Sequence, residues 1–189
     1  MPTYPKLTHS IRNFILANLI IRPYYDPEFS KATFLEGAKT AVEFVSQCLS
    51  EGDLDALEDS KVLSTEALRQ INLNLSTFTH NQRENLYINQ KDIFYNFIYQ
   101  IGVILDDNDP KQRQVEITYV AHSIPNLDEI AEHTTDLSIE SLKKFGVEHE
   151  TGPVILACRF IRDYSKGVKD SWTMNAINYL CIKDKANHY

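Results

Sequence analysis

The side chains that could carry acid-base chemistry lie in the second half of the chain. His122 closes the alternating run Val115, Ile117, Tyr119, Ala121, and Asp163 follows Arg162 at the end of another apolar run, so both fall on predicted strands. An isomerase or dehydratase needs such a group aimed inward among apolar neighbours, where burial retunes its acidity. The alternation opposes that role. His122 takes the polar phase opposite Val115, Ile117, Tyr119 and Ala121, and Asp163 stands at a strand end before the Lys166-Gly167 turn. Both are expected to face solvent, and no catalytic residue is assigned.

Other chemistries lack their residue patterns. The six histidines, His9, His80, His122, His133, His149 and His188, are scattered in polar contexts, and Cys48, Cys158 and Cys181 have no close pairing, so no metal site is assigned. The three cysteines each lie in an apolar pattern and are expected to be buried thiols rather than disulfides. Gly37, Gly52, Gly102, Gly146, Gly152 and Gly167 are isolated, which leaves neither a phosphate loop nor a dinucleotide fingerprint; no cofactor is expected.

The aromatics are more suggestive. Tyr24, Tyr25 and Phe29 gather where a helix is predicted to begin, and Trp172 opens the last predicted strand. As core they would seal one end of the fold; as a site they would form a cleft with apolar walls and a polar rim, suited to a peptide or a partner helix. These four residues are the candidate partner-binding set. The acidic run Asp53, Asp55, Glu58, Asp59 reads as a solvated helix face, or else as a docking patch for a basic segment.

The elements that position these residues follow from periodicity. A first amphipathic helix is predicted from Thr8 or Ser10, capped by one of those hydroxyls, through Ile11, Phe14, Ile15, Leu19 and Ile20 to Arg22-Pro23. Asp26-Pro27 bars helix at Asp26, and Phe34, Ala38, Ala41, Val42, Val45, Cys48 and Leu49 then mark a long helix over 31–50, closed by a left-handed cap at Gly52. Short helices are expected over 54–63 and 64–73, the second capped near Ser64-Thr65, with a third helix or loop over 76–90. From residue 91 the period falls to two. Ile93, Tyr95, Phe97, Tyr99, Ile101 and Val103 read as one strand phase, a turn follows at residues 106–110, and Val115 to His122 return. A polar excursion over 125–151 holds a short helix at 137–145. Strands over 154–164 and 172–182 complete the set, joined by the Lys166-Gly167 turn, and the phase Trp172, Met174, Ala176, Leu180 is expected to face the long helix. Helices first and strands afterwards make an α+β fold, N-terminal helices packed on a bent antiparallel sheet of at least four strands.

Composition sets the outer limits. At 189 residues and 43% hydrophobic the chain can bury one sizeable core. A net charge of −7 argues against a nucleic-acid binder. The charge is uneven: residues 1–22 hold Lys6, Arg12 and Arg22 and no acid, an arm of +3 against −10 for the remainder. Residues 1–23 therefore read as an amphipathic helical arm, able to touch the body, an acidic partner or an anionic membrane surface. The run at 11–21 is too short and too interrupted to span a bilayer.

The blocks Tyr24-Tyr25-Asp26-Pro27-Glu28-Phe29 with Phe34 to Lys39, and Phe160 to Thr173 including Gly167-Val168-Lys169 and Trp172-Thr173, resemble the matrix-side domain of the TIM-forty-four-like family. The resemblance implies that residues 24–189 form a TIM-forty-four-like α+β domain, a cystatin-like or NTF2-like cone. It further implies a non-enzymatic chaperone-like adaptor of the mitochondrial matrix with peripheral contact to the inner membrane. The partners it implies are the m-AAA protease and imported precursor proteins, among them the calcium-uniporter regulatory subunit. The N-terminus lacks the Arg- and Ser-rich composition of a transit peptide, so a mitochondrial location would make this a mature or trimmed form. The alternatives are a mitoribosomal large-subunit protein of the same family, which should carry basic extensions, and a small-molecule isomerase or lipid carrier of NTF2-like fold.

Overall fold

A computed structural model describes residues 4–105, 113–133, 153–168 and 170–181, with backbone alone for His133, Leu180 and Cys181. The expected helix at 137–145 and turn at 106–110 lie outside the described residues, as does the Cys181 thiol.

The chain opens as one helical rod in three parts: α1 (Leu7–Ile15), a π-helical segment (Leu16–Ile21) and α2 (Arg22–Tyr24). It starts two residues before the Thr8 cap and four before the Ser10 cap that the hydroxyls predict. Lys6 is the N-cap without a side-chain cap, and the Ser10 hydroxyl turns back to donate to the Lys6 carbonyl. It also runs past Pro23 to Tyr24, because the wider π turn lets the Arg22 N–H reach the Ala17 carbonyl just ahead of the proline.

The long helix α3 (Lys31–Glu51) begins at Ser30, whose hydroxyl accepts from Thr33 N, and ends at Gly52 with φ 76°. A left-handed φ at that cap favours glycine. Helices α4 (Leu54–Ser60), α5 (Thr65–Leu75) and α6 (His80–Glu84) follow, capped by Asp53, Ser64 and Thr79. A 3-10 turn (Gln90–Asp92) leads into β1 (Ile93–Leu105), then β2 (Arg113–Ser123), α7 (Leu127–His133), β3 (Val154–Asp163) and β4 (Thr173–Cys181). The four strands make one antiparallel sheet in the order β1-β2-β3-β4, an α+β arrangement of helices against an open sheet.

Three bulges decide which side chains meet α3. Residues 94 and 99 interrupt the pairing of β1 with β2, and Asn175 is extra in β4 between the pairs Arg159/Ala176 and Phe160/Met174. Each extra residue reverses the phase of the side chains beyond it. Consequently Ile93, Ile98, Ile101 and Val103 of β1 join the main core, and Tyr95, Phe97 and Tyr99 turn to the other face, splitting the single phase expected from alternation. Trp172, just before β4, and Met174 within it face α3 as expected, but beyond the bulge Ile177 and Tyr179 take over from Ala176, and the Leu180 side chain lies outside the described residues.

The sheet is apolar on both faces. The main core joins α3 (Phe34, Ala38, Val42, Val45, Leu49) to Val115, Ile117, Tyr119, Ala121, Leu156, Cys158 and Phe160, and a second cluster holds Phe97, Val120, Ile155 and Ala157. His122 lies on this second face, buried at 3% exposure with rings of Tyr4, Phe94, Tyr95 and Phe97 at 5.6–6.4 Å. The expectation of a solvent-facing His122 is therefore corrected: its phase is opposite the main core, but that side is lined by aromatics.

The first rod packs along the edge strand β1. Asn13, 3% exposed, donates through Nδ2 to the carbonyls of Ile98 and Tyr99 at 3.1 Å each, and its Oδ1 accepts from Ile101 N at 2.8 Å. One amide thus satisfies the backbone at the Tyr99 bulge and covers part of a sheet edge. Ala17 and Ile21 of the same rod enter the main core. At the opposite edge, Met174 bonds to residues 62–64 through Val62 O (2.7 Å) and Ser64 N (3.0 Å).

Candidate functional site

The site is built at the end of the sheet where the turn before α3 meets β3 and β4. Asp26 forms that turn: its Oδ1 accepts from Glu28 N at 3.1 Å and its carbonyl from Phe29 N at 3.0 Å. This folds Phe29 inward, 6% exposed, against Phe34 and Trp172. Trp172 is half-buried, with Phe34 at 5.1 Å edge-on, Phe29 at 6.3 Å and Tyr164 at 6.3 Å. Phe160 meets Phe34 edge-on at 5.5 Å. These centroid separations and tilts are those aromatic pairs prefer.

A polar clasp crosses the cluster. Arg162 Nη1 donates to Asp26 Oδ2 at 3.0 Å, the Tyr164 hydroxyl donates to the same oxygen at 3.2 Å, and Arg162 Nε donates to the Asp170 carbonyl at 3.0 Å. The guanidinium also lies 4.8 Å over the Tyr164 ring. Burial first, and the Asp26 carboxylate after it, push the Tyr164 phenol well above the usual tyrosine range. Asp163 belongs to the adjoining turn: its Oδ1 accepts from Ser165 N at 2.7 Å, and its own N–H donates to Asp170 Oδ2 at 2.8 Å. It is half-buried and shapes the hairpin rather than facing open solvent as expected.

Between these parts runs a cleft of about 360 Å³, with Thr33, Phe34, Gly37, Ala38 and Ala41 of α3 on one wall and Phe29, Phe160 and Trp172 on the other; Asp26, Glu28, Ser30 and Arg162 line its polar rim. The side of α3 is cut back here. A Cβ added to Gly37 would meet nothing within 4 Å. The cleft can accept apolar side chains against the aromatics, with a rim able to exchange hydrogen bonds.

Of the four candidates named from sequence, Phe29 and Trp172 line this cleft. Tyr25 stands one layer away, edge-on to Tyr164 at 5.7 Å, and Tyr24 is 71% exposed on the last turn of the first rod. Phe34, Phe160, Tyr164 and the Asp26 to Arg162 pair complete the site; all lie in the two blocks that carried the resemblance, but a contact across 136 residues has no local signal. Cys48 and Cys158 are buried free thiols, and burial raises both. Among the described residues no group of His, Cys, Asp and Glu could hold a metal ion, and no helix is long and apolar enough to cross a membrane.

No protein-family model matches the chain. It is similar to curated mitochondrial proteins that interact with a protease. The m-AAA protease-interacting protein 1, mitochondrial, of Rattus norvegicus and of Mus musculus each share 27% identity with it over 161 residues, 85% of this chain and 54% of theirs. The protein of that name from Homo sapiens gives the same identity and coverage. The similarity extends across most of this chain, consistent with the relationship expected from the two aromatic blocks, and the chain spans about half the length of the curated relatives it matches.

Proposed function

We propose that this protein is a non-enzymatic adaptor of the mitochondrial matrix, peripheral to the inner membrane, that associates with the m-AAA protease and assists the sorting or maturation of imported membrane proteins such as the calcium-uniporter regulatory subunit. The observation that carries the reading is the similarity over 85% of the chain to proteins named for interaction with that protease. The cleft supports it. Its lining is apolar with a polar rim, and its charged pair is engaged in holding the walls together, which suits capture of an apolar segment more than proton transfer. Phe29, Phe34 and Trp172 would supply the anchoring surface.

The test is binding of the purified chain to detergent-solubilised m-AAA protease, with the Thr33→Arg variant in parallel. Thr33 is exposed on the cleft wall, so the variant should fold. Retention of the wild type with weaker retention of the variant is expected. Failure of the wild type to bind the protease would remove the adaptor reading.

A further inference from the structure

The outward side of the first rod is apolar and uncovered. Leu7, Ile11, Phe14, Ile15 and Leu19 follow helical spacing and are 77%, 55%, 59%, 45% and 59% exposed. The opposite side of the same rod is already committed, through Asn13, Ala17 and Ile21. Phe14 and Ala17 also border a groove of about 490 Å³, closed on the far side by Pro27 to Ala32 at the start of α3. Two faces of one short rod are thus apolar, and among the described residues only one is buried.

The charges around the stripe have one dominant sign. Lys6, Arg12 and Arg22 lie on the rod, and Lys31 sits 5.5 Å over the Phe14 ring. The first acid after the start of the rod is Asp26, and the first turn of α3 carries none. Among the described residues Glu28 is the one carboxylate on the groove wall, against Arg22, Lys31 and the amino end of α3. None of these four cations forms an ion pair among the described residues.

We propose that this stripe and groove dock an acidic amphipathic helix of a protein partner. The exposed apolar residues match the spacing by which a helix presents anchors to another helix, and the rim complements carboxylates on the incoming flanks. An anionic bilayer is the competing occupant of a basic amphipathic helix. It is disfavoured here because the surface is partly concave and the rest of the chain, at −10, would be drawn against lipid of its own sign. This surface adjoins the aromatic cleft, with Glu28, Phe29 and Ser30 lining both, but its exposed stripe lies outside the cleft and the proposal does not depend on the identity of the protease.

The experiment uses the full chain and two synthetic amphipathic peptides that share one Leu/Ile face, one flanked by Glu and the other by Lys. The Glu peptide is expected to bind at least about tenfold more tightly than the Lys peptide, and Ile11→Ser with Leu19→Ser should weaken it by a similar factor. Arg22→Glu with Lys31→Glu should invert the preference between peptides. All four positions are solvent-facing or half-buried, and circular dichroism of the variants should match the wild type. Equal binding of the two peptides, or none, overturns the proposal. So does sedimentation with anionic phospholipid vesicles that persists at saturating Glu peptide, which would assign the surface to lipid. Concentration-dependent dimerisation abolished by Ile11→Ser would overturn it in favour of a second copy of this chain.

Discussion

Asp26 and Arg162 are 136 residues apart and meet at 3.0 Å, joining the turn that launches α3 to the end of β3. The pair is partly buried, with side chains 17% and 29% exposed, and Tyr164 shares its carboxylate oxygen. Removing Arg162 leaves the Asp26 carboxylate half-covered with two neutral donors, the Tyr164 hydroxyl and the Glu28 N–H, and no cation. Arg162→Ala is expected to destabilise the fold by about 1 to 3 kcal/mol, below the cost of breaking a fully buried pair because water reaches this one. Urea unfolding measures it; a loss under about 0.5 kcal/mol would place the pair with ordinary surface ion pairs.

Asn13 holds the first rod to the β1 bulge through three hydrogen bonds. Asn13→Ala strands the Ile101 N–H and two carbonyls against an apolar neighbour. A loss of about 2 to 3 kcal/mol is expected, with faster amide hydrogen exchange at Ile101. Unchanged protection at Ile101 would show that another group satisfies that edge.

How much of this was legible in the sequence differs by element. Helix α3 was, because its apolar residues recur over five turns and its ends carry Ser30 and Gly52. The sheet was legible as strands but not as faces. A bulge at residue 99 or 175 adds one residue without a glycine or proline to mark it, so Tyr99 and Ala176 were placed on the wrong side. His122 illustrates the same limit from another direction. Alternation tells which residues share a face, but burial of that face depends on Tyr4, Phe94 and Phe97, which are distant in sequence. At the cleft, residue types pointed to Phe29 and Trp172, but Tyr24 belongs to the rod because the helix passes Pro23 and carries its side chain outward.

Three of the ten tyrosines should resist ionisation in the native state. Burial raises the phenols of Tyr119, Tyr164 and Tyr179 well above the ordinary value of 10.0. A folded pKa above the unfolded one means that the native state holds these protons more tightly. The associated stability is whole below pH 10.0 and is lost as pH rises beyond it. Absorbance of tyrosinate should therefore rise in two phases, the later one coinciding with loss of ellipticity. A single phase complete before unfolding would contradict the burial of these hydroxyls.

Trp172 lies between core and cleft. Trp172→Ala should cost about 2 to 4 kcal/mol, short of the loss for a fully buried tryptophan because one side of the ring borders the cleft. Chemical denaturation checks it; a change under about 1 kcal/mol would assign the ring to the surface.

The central claim, that the cleft beside α3 is where the protein takes hold of its partner, is tested most directly at Gly37. A Cβ there has open space before it, and glycine within a helix is unfavourable, so Gly37→Ala should stabilise the fold by about 0.5 to 1 kcal/mol. Gly37→Trp should fill the cleft without unfolding the protein. The decisive measurement is the dissociation constant for solubilised m-AAA protease of wild type, Gly37→Ala and Gly37→Trp. The account predicts a small change for alanine and a loss of about tenfold or more for tryptophan at retained stability. Equal affinity of a folded Gly37→Trp variant and the wild type would contradict it.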